Sequence, residues 1–147
     1  MKANKKSIIG WIGVSITTIF ASLWSYWGAI ENFHEGWYST SLWENLFMLV
    51  FQYLLFAIVF TVLAVVALKW KKLGLILHIA VAGFCIWFFS RASFSVLVLL
   101  IVLPITGLGL LYFFGDPKPK IWAYRLLVCV PAIVILAISI PQGIKIS

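Results

Sequence analysis

The chain has 147 residues, of which 64% are hydrophobic and only 10% charged, with a formal net charge of +7, and its mean hydropathy is +1.11. A soluble domain carries about a quarter of its residues as charges, so composition excludes that class and indicates an integral membrane protein. The positive charge lies in short lysine-rich segments with no aromatic-basic surface domain around them, which argues against nucleic acid as a partner and leaves topology and attraction to anionic lipid as its explanation.

Five apolar runs follow one another: Ile8–Ile30, Leu42–Leu68, Leu73–Phe89, Phe94–Phe114 and Ile121–Ile140. Crossing about 30 Å of hydrocarbon takes roughly 20 residues, and lipid obliges each segment to satisfy its own backbone groups. None of the runs alternates as a barrel strand does. The expected fold is all-α: a single transmembrane domain over 1–147, with helices at about 8–35, 42–68, 73–90, 94–114 and 121–141 and short loops. The third run is the shortest and the fourth contains Pro104, so a re-entrant hairpin over 73–114 is the competing arrangement.

The first run is preceded by Lys2, Lys5 and Lys6. It is longer than the apolar core of a cleaved signal and no small-x-small site follows it, so it is expected to remain as an anchor. Its last turn carries Glu31, His34 and Glu35, whose i, i+3, i+4 spacing puts them on one face. Carboxylates there oppose the negative end of the helix dipole, so a positive partner is expected. Three candidates supply it: a protonated His34, Arg91 from another outer loop, or a divalent metal held by Glu31, His34 and Glu35. Glu31-Asn-Phe-His34 matches one Glu-x-x-His element of a di-iron bundle, but the chain has a single copy, and Tyr38 stands where H-E-x-x-H needs its second histidine. No cofactor is otherwise implied, and no residue is assigned a catalytic role.

Gly36 is read as the residue that ends the first helix. Ser41-Leu-Trp-Glu44 has capping-box spacing, so Ser41 and Glu44 are expected to cap the second helix reciprocally. That leaves Trp37, Tyr38, Ser39 and Thr40 as the connection. Gln52 falls about two turns into the second run, His78 near the inner end of the third and Arg125 near the inner end of the fifth. Intramembrane polar groups are functional candidates by default, although hydrogen bonding between helices and snorkelling to the surface are sufficient roles for them. Cys85 and Cys129 fall within runs and read as small buried hydrophobes. Pro104, Gly107, Gly109 and Pro131 read as kink and close-packing positions. Gly115 ends the fourth helix and Asp116-Pro117 makes its turn.

Eight lysines, Lys2, Lys5, Lys6, Lys69, Lys71, Lys72, Lys118 and Lys120, alternate with segments holding only Arg91 and Lys145. The positive-inside rule then places the N-terminus inside and the C-terminus outside. Of the eight tryptophans, Trp24, Trp27, Trp37, Trp43 and Trp87 are expected at the outer boundary and Trp70 and Trp122 at the inner one. A sugar- or lipid-binding platform of Trp37, Tyr38 and Trp43 is the alternative to that belt.

The segments YWGAIENFHEGWY, SLWENL, QYLL and GLGLLYFFGDPKPKIWAYR together resemble an uncharacterised group of bacterial multi-pass membrane proteins. The resemblance implies a membrane anchor with an outward C-terminus, which in longer relatives leads into an extracytoplasmic domain, and it assigns no site residue. His34-Glu35-Gly36-Trp37 is also similar to the sterol isomerase-like membrane family, whose acid and base are a histidine and a glutamate one helical turn apart. In this chain they are adjacent.

The leading functional expectation is a non-enzymatic one: a membrane scaffold or partner-binding subunit. Its partners would be the lipid bilayer, a membrane or extracytoplasmic protein, or a second copy. The alternatives are a metal-dependent or acid-base enzyme acting on a lipid-like substrate through Glu31, His34 and Glu35, and a small transporter.

Overall fold

The structure, a computed structural model, describes residues 4–34, 38–90 and 96–146. Every regular element among them is helical: α1 (Lys5–His34), α2 (Leu42–Met48), a π-helical stretch (Leu49–Tyr53), α3 (Leu55–Lys69), α4 (Lys71–Ser90), α5 (Val96–Phe114) and α6 (Lys120–Ile146). Among the described residues three helices are long and apolar enough to cross a membrane, Lys5–His34, Lys71–Phe89 and Lys120–Ile144, and a fourth span results if α2 to α3 is taken as one. The all-α expectation holds.

The second expected helix, 42–68, is not continuous. Leu42–Tyr53 and Leu55–Lys69 meet at 65°, and the π-helical stretch precedes the break. A π-bulge shifts the hydrogen-bond register and frees backbone groups locally. Here the Tyr53 carbonyl, at the bend, accepts the Trp24 indole N–H at 3.0 Å. Gly28 makes the approach possible, since a Cβ at that position would stand 2.9 Å from the Tyr53 oxygen. At the other end of the chain α6 runs past Pro141 to Ile146, beyond the expected end at 141. The helix continues although proline lacks the N–H that would donate there.

The chain divides into two compact units, one of Met1–Ile16 with Leu63–Ala123 and one of Thr17–Val62 with Tyr124–Ser147. In the first, α4 and α5 pack along each other. The start of α1 presses on the end of α5 so closely that a Cβ on Gly115 would lie 2.5 Å from the Gly10 Cα. Only two glycines allow that crossing, and small residues at helix contacts are the means by which membrane helices gain packing. In the second unit, Trp24 of α1 meets Phe56 of α3 edge-on at 4.9 Å, and Phe20 stacks on Phe60 at 6.3 Å.

Candidate functional site

The connection between α1 and α2 carries the polar residues that the sequence singles out. Glu31 and His34 are both exposed on the last turn of α1. Glu35, Gly36, Trp37 and Arg91 lie outside the described residues, so neither the three-residue metal set nor the Arg91 ion pair is placed. Among the described residues no group of three or more His, Cys, Asp or Glu side chains stands together.

The start of α2 differs from the expected capping box. Ser41 is the N-cap residue, with extended φ and ψ, but its side chain makes no capping hydrogen bond. Its own N–H donates to the Ser39 hydroxyl at 3.1 Å, which takes the bond that Glu44 was expected to accept. The organising residue is Asn45, 95% buried by its 5% exposure. Its Oδ1 accepts the Ser39 N–H at 3.0 Å, and its Nδ2 donates to the Ser39 and Ser41 carbonyls at 2.7 and 3.0 Å. In a capping box the serine and glutamate side chains both accept backbone N–H groups, whereas an amide also donates, so Asn45 can satisfy two carbonyls as well as an N–H. Glu44 instead borders a groove of about 360 Å³ with Tyr38, Trp43, Phe47 and Met48.

The three intramembrane candidates separate. His78 is buried, and its Nδ1 lies 2.7 Å from the Gly74 carbonyl one turn back in α4. A carbonyl only accepts, so Nδ1 carries the proton. The ring also approaches Tyr112 of α5, centroid to centroid 6.1 Å. Gln52 is exposed within the π-helical stretch, and Arg125 is exposed on α6. His78 thus has a packing and bonding role within the first unit.

Among the described residues the densest polar construction lies at a segment that the sequence presents as a turn, Asp116-Pro117. Asp116 follows α5, and its carboxylate has Lys120 Nζ at 3.4 Å, Lys118 Nζ at 3.8 Å and Lys71 Nζ at 3.9 Å. Its backbone N–H donates to the Lys6 carbonyl at 2.7 Å. The Lys118 N–H donates to the Ser7 hydroxyl at 3.2 Å, and the Trp11 indole N–H donates to the Lys118 carbonyl at 3.2 Å. Lys71 Nζ donates to the Gly115 carbonyl, and Lys120 Nζ to the Leu68 carbonyl at 3.3 Å. These bonds bring together the start of α1, the end of α3, the start of α4, the end of α5 and the start of α6, all within the first unit.

The two carbonyls that the lysines reach belong to helix C-terminal ends, where acceptors lack intrahelical partners and cations are favoured. Asp116 then offsets the mutual repulsion of the ammonium groups. The available signal in the sequence was compositional: Asp116 is the only acid in a region with seven described lysines, Lys5, Lys6, Lys69, Lys71, Lys72, Lys118 and Lys120. The arrangement can hold helix ends together and present positive charge, and it offers no nucleophile–base pair. No family model matches the chain, and comparison with curated proteins and with solved structures finds no significant match.

Proposed function

We propose that the chain is a multi-pass protein of the bacterial inner membrane with five spans, N-terminus inside and C-terminus outside, working as a scaffold or partner-binding subunit. The spans are α1, the bent pair α2 to α3, α4, α5 and α6, in a single membrane domain over 1–147. At 19 residues and 1.5 Å per residue α5 is about 28 Å long, close to the ~30 Å of hydrocarbon.

One observation carries this reading. Lysine-bearing segments far apart in sequence meet at Asp116: its backbone N–H bonds to the Lys6 carbonyl near the N-terminus, and Lys71 of KWKK with Lys118 and Lys120 of GDPKPK bring ammonium groups to its carboxylate. Clustered lysines at one end of apolar helices are what the positive-inside rule requires of a cytoplasmic face. The scaffold role draws on how the polar side chains are used: Asn45, Trp24, Lys71 and Lys120 all bond to backbone groups, which secures helix geometry.

Impermeant thiol reagents test the topology. Ser39→Cys should label in intact cells and Lys72→Cys only after permeabilisation, and the reverse pattern would overturn the orientation. In mild detergent the native assembly should exceed one chain, and a monodisperse monomer would refute the subunit role. The alternative, a lipid-directed acid-base or metal-dependent enzyme, draws on the groove of about 360 Å³ that sets Glu44 beside Trp43 and Phe47. Stoichiometric metal in the purified protein would favour it.

A further inference from the structure

Three features outside the scaffold reading invite a ligand: the outer groove beside Glu44, the buried His78, and the corner where α3 turns into α4. The corner carries the argument furthest. Trp70 alone separates the two helices. A groove of about 510 Å³ runs along the corner, lined by Trp70, Lys71, Lys72 and Leu73.

The ammonium groups at this corner divide into two sets. Lys71 is turned inward, onto the Gly115 carbonyl and Asp116. Lys72 and Lys69 are exposed, and every ion pair found among the described residues goes to Asp116 and involves neither of them. Lys69 Nζ stands 4.4 Å from the centroid of the Trp70 ring, a cation–π contact that holds positive charge over the indole. Trp70 is 52% exposed, and beyond it α4 presents Leu73 and Ile76, 42% and 61% exposed. The corner therefore passes from ammonium groups, through an amphipathic indole, to an aliphatic surface.

We propose that this corner binds the headgroup of an anionic phospholipid. The phosphate faces Lys69 and Lys72, the glycerol region lies against Trp70, and an acyl chain follows Leu73 and Ile76. The sequence of chemistry along the groove selects the ligand. A free phosphate has no use for the aliphatic end, and a zwitterionic headgroup brings its own cation toward two ammonium groups. A net-negative diester satisfies both ends. Asp116 sharpens the site by engaging Lys71 at the back of the groove, so that Lys72 on the groove wall and Lys69 above the Trp70 ring are the corner charges without a carboxylate partner among the described residues. The inference rests on the membrane-spanning reading, because it needs the start of α4 at headgroup depth.

The test uses the full chain purified in mild detergent, melted with equal amounts of dioleoyl phosphatidylglycerol, dioleoyl phosphatidylcholine or sodium phosphate. A ligand that binds only the folded state raises Tm, by an amount that grows with the logarithm of its free concentration relative to Kd. Phosphatidylglycerol should raise Tm clearly more than phosphatidylcholine, with sodium phosphate near zero. The Lys69→Gln/Lys72→Gln double variant should lose more than half of that shift, while Lys5→Gln/Lys6→Gln keeps most of it. Native mass spectrometry of the same proteins supplies a second reading, as fewer retained phosphatidylglycerol molecules on the corner variant. Equal shifts from the two lipids, a matching shift from sodium phosphate alone, or a full shift in the corner variant would each overturn the proposal. Carbonate washing of membranes tests the spanning reading separately. A chain that resists the wash but shows no headgroup preference overturns the lipid site alone, and a chain that washes off overturns both.

Discussion

Asp116→Asn isolates what the central carboxylate contributes. The substitution keeps side-chain shape nearly constant and retains the backbone N–H that donates to the Lys6 carbonyl at 2.7 Å. It removes the charge that three ammonium groups approach at 3.4, 3.8 and 3.9 Å. The carboxylate is 24% exposed, so these are not deeply buried pairs, and solvent screens them. Exposed pairs contribute about 0.2–1 kcal/mol each. Three pairs sharing one carboxylate do not add fully, so the expected loss is about 1–2 kcal/mol. Thermal melting in mild detergent at about 0.1 M and about 1 M salt is the assay, because the Debye length falls from about 10 Å to about 3 Å over that range. At the lower salt the variant should melt a few degrees below the parent, and most of that gap should close at the higher salt. A double-mutant cycle with Lys118→Gln should return a coupling of a few tenths to about 1 kcal/mol. Equal melting of variant and parent at low salt, or a loss that salt leaves unchanged, would refute the idea that Asp116 acts through charge.

The remaining predictions concern packing and backbone bonds. Gly115→Leu should cost at least about 1–3 kcal/mol by overpacking, since even a Cβ would stand 2.5 Å from the Gly10 backbone, whereas Gly83→Ala meets nothing within 4 Å and should leave Tm unchanged or raised. Trp24→Phe removes the donor to the Tyr53 carbonyl and should cost about 1–3 kcal/mol by leaving that acceptor unpaired, with faster amide exchange at residues 54–58 as the local sign. Asn45→Ala should destabilise by about 1–3 kcal/mol, while Ser41→Ala, whose side chain makes no capping bond, should change Tm little. The opposite ranking of those two would restore the capping box.

How much of this was legible in the sequence depended on whether a feature is local. Helix existence was, because an apolar run in lipid has few other ways to satisfy its backbone, and Gly115 marked the end of α5. The break at residue 54 was not. LVFQYLLF contains neither glycine nor proline, and the bend is fixed instead by Trp24 and Gly28 from another helix. Ser41 stands at the N-cap without a side-chain capping bond, and the serine–glutamate spacing gives no sign of Asn45, which is buried and makes three bonds at the turn. Asp116 was read as turn chemistry because its partners come from positions 71, 118 and 120. A one-dimensional reading sees only the last two nearby. The cluster at the end of α1 stands differently: Glu31 and His34 are placed and exposed, while Glu35 and Arg91 lie outside the described residues.

The distribution of side-chain size bears on the solvent as directly as hydropathy does. On α1 the buried positions Ala21, Ser25 and Ala29 recur every four residues, and on α3 Ala57, Ala64 and Ala67 are at most 4% exposed. Beside that stripe on α1, Ile19, Leu23 and Trp27 are turned outward, 59%, 61% and 56% exposed. In water this arrangement would be costly, because exposed apolar surface sacrifices about 25 cal/mol per Å² and contiguous patches beyond a few hundred Å² drive association. In lipid the outward leucine loses nothing, and stability must come from close backbone approach and from polar contacts, for which small residues are suited. The directional bonds observed, Trp24 to Tyr53, Lys71 to Gly115 and Asp116 to Lys6, then bear a larger share of the fold than they would in a soluble domain. A molecule built this way has little polar chemistry inside its helices, and its charged side chains gather at the helix ends, as Lys69, Lys71 and Lys72 do at the α3–α4 corner.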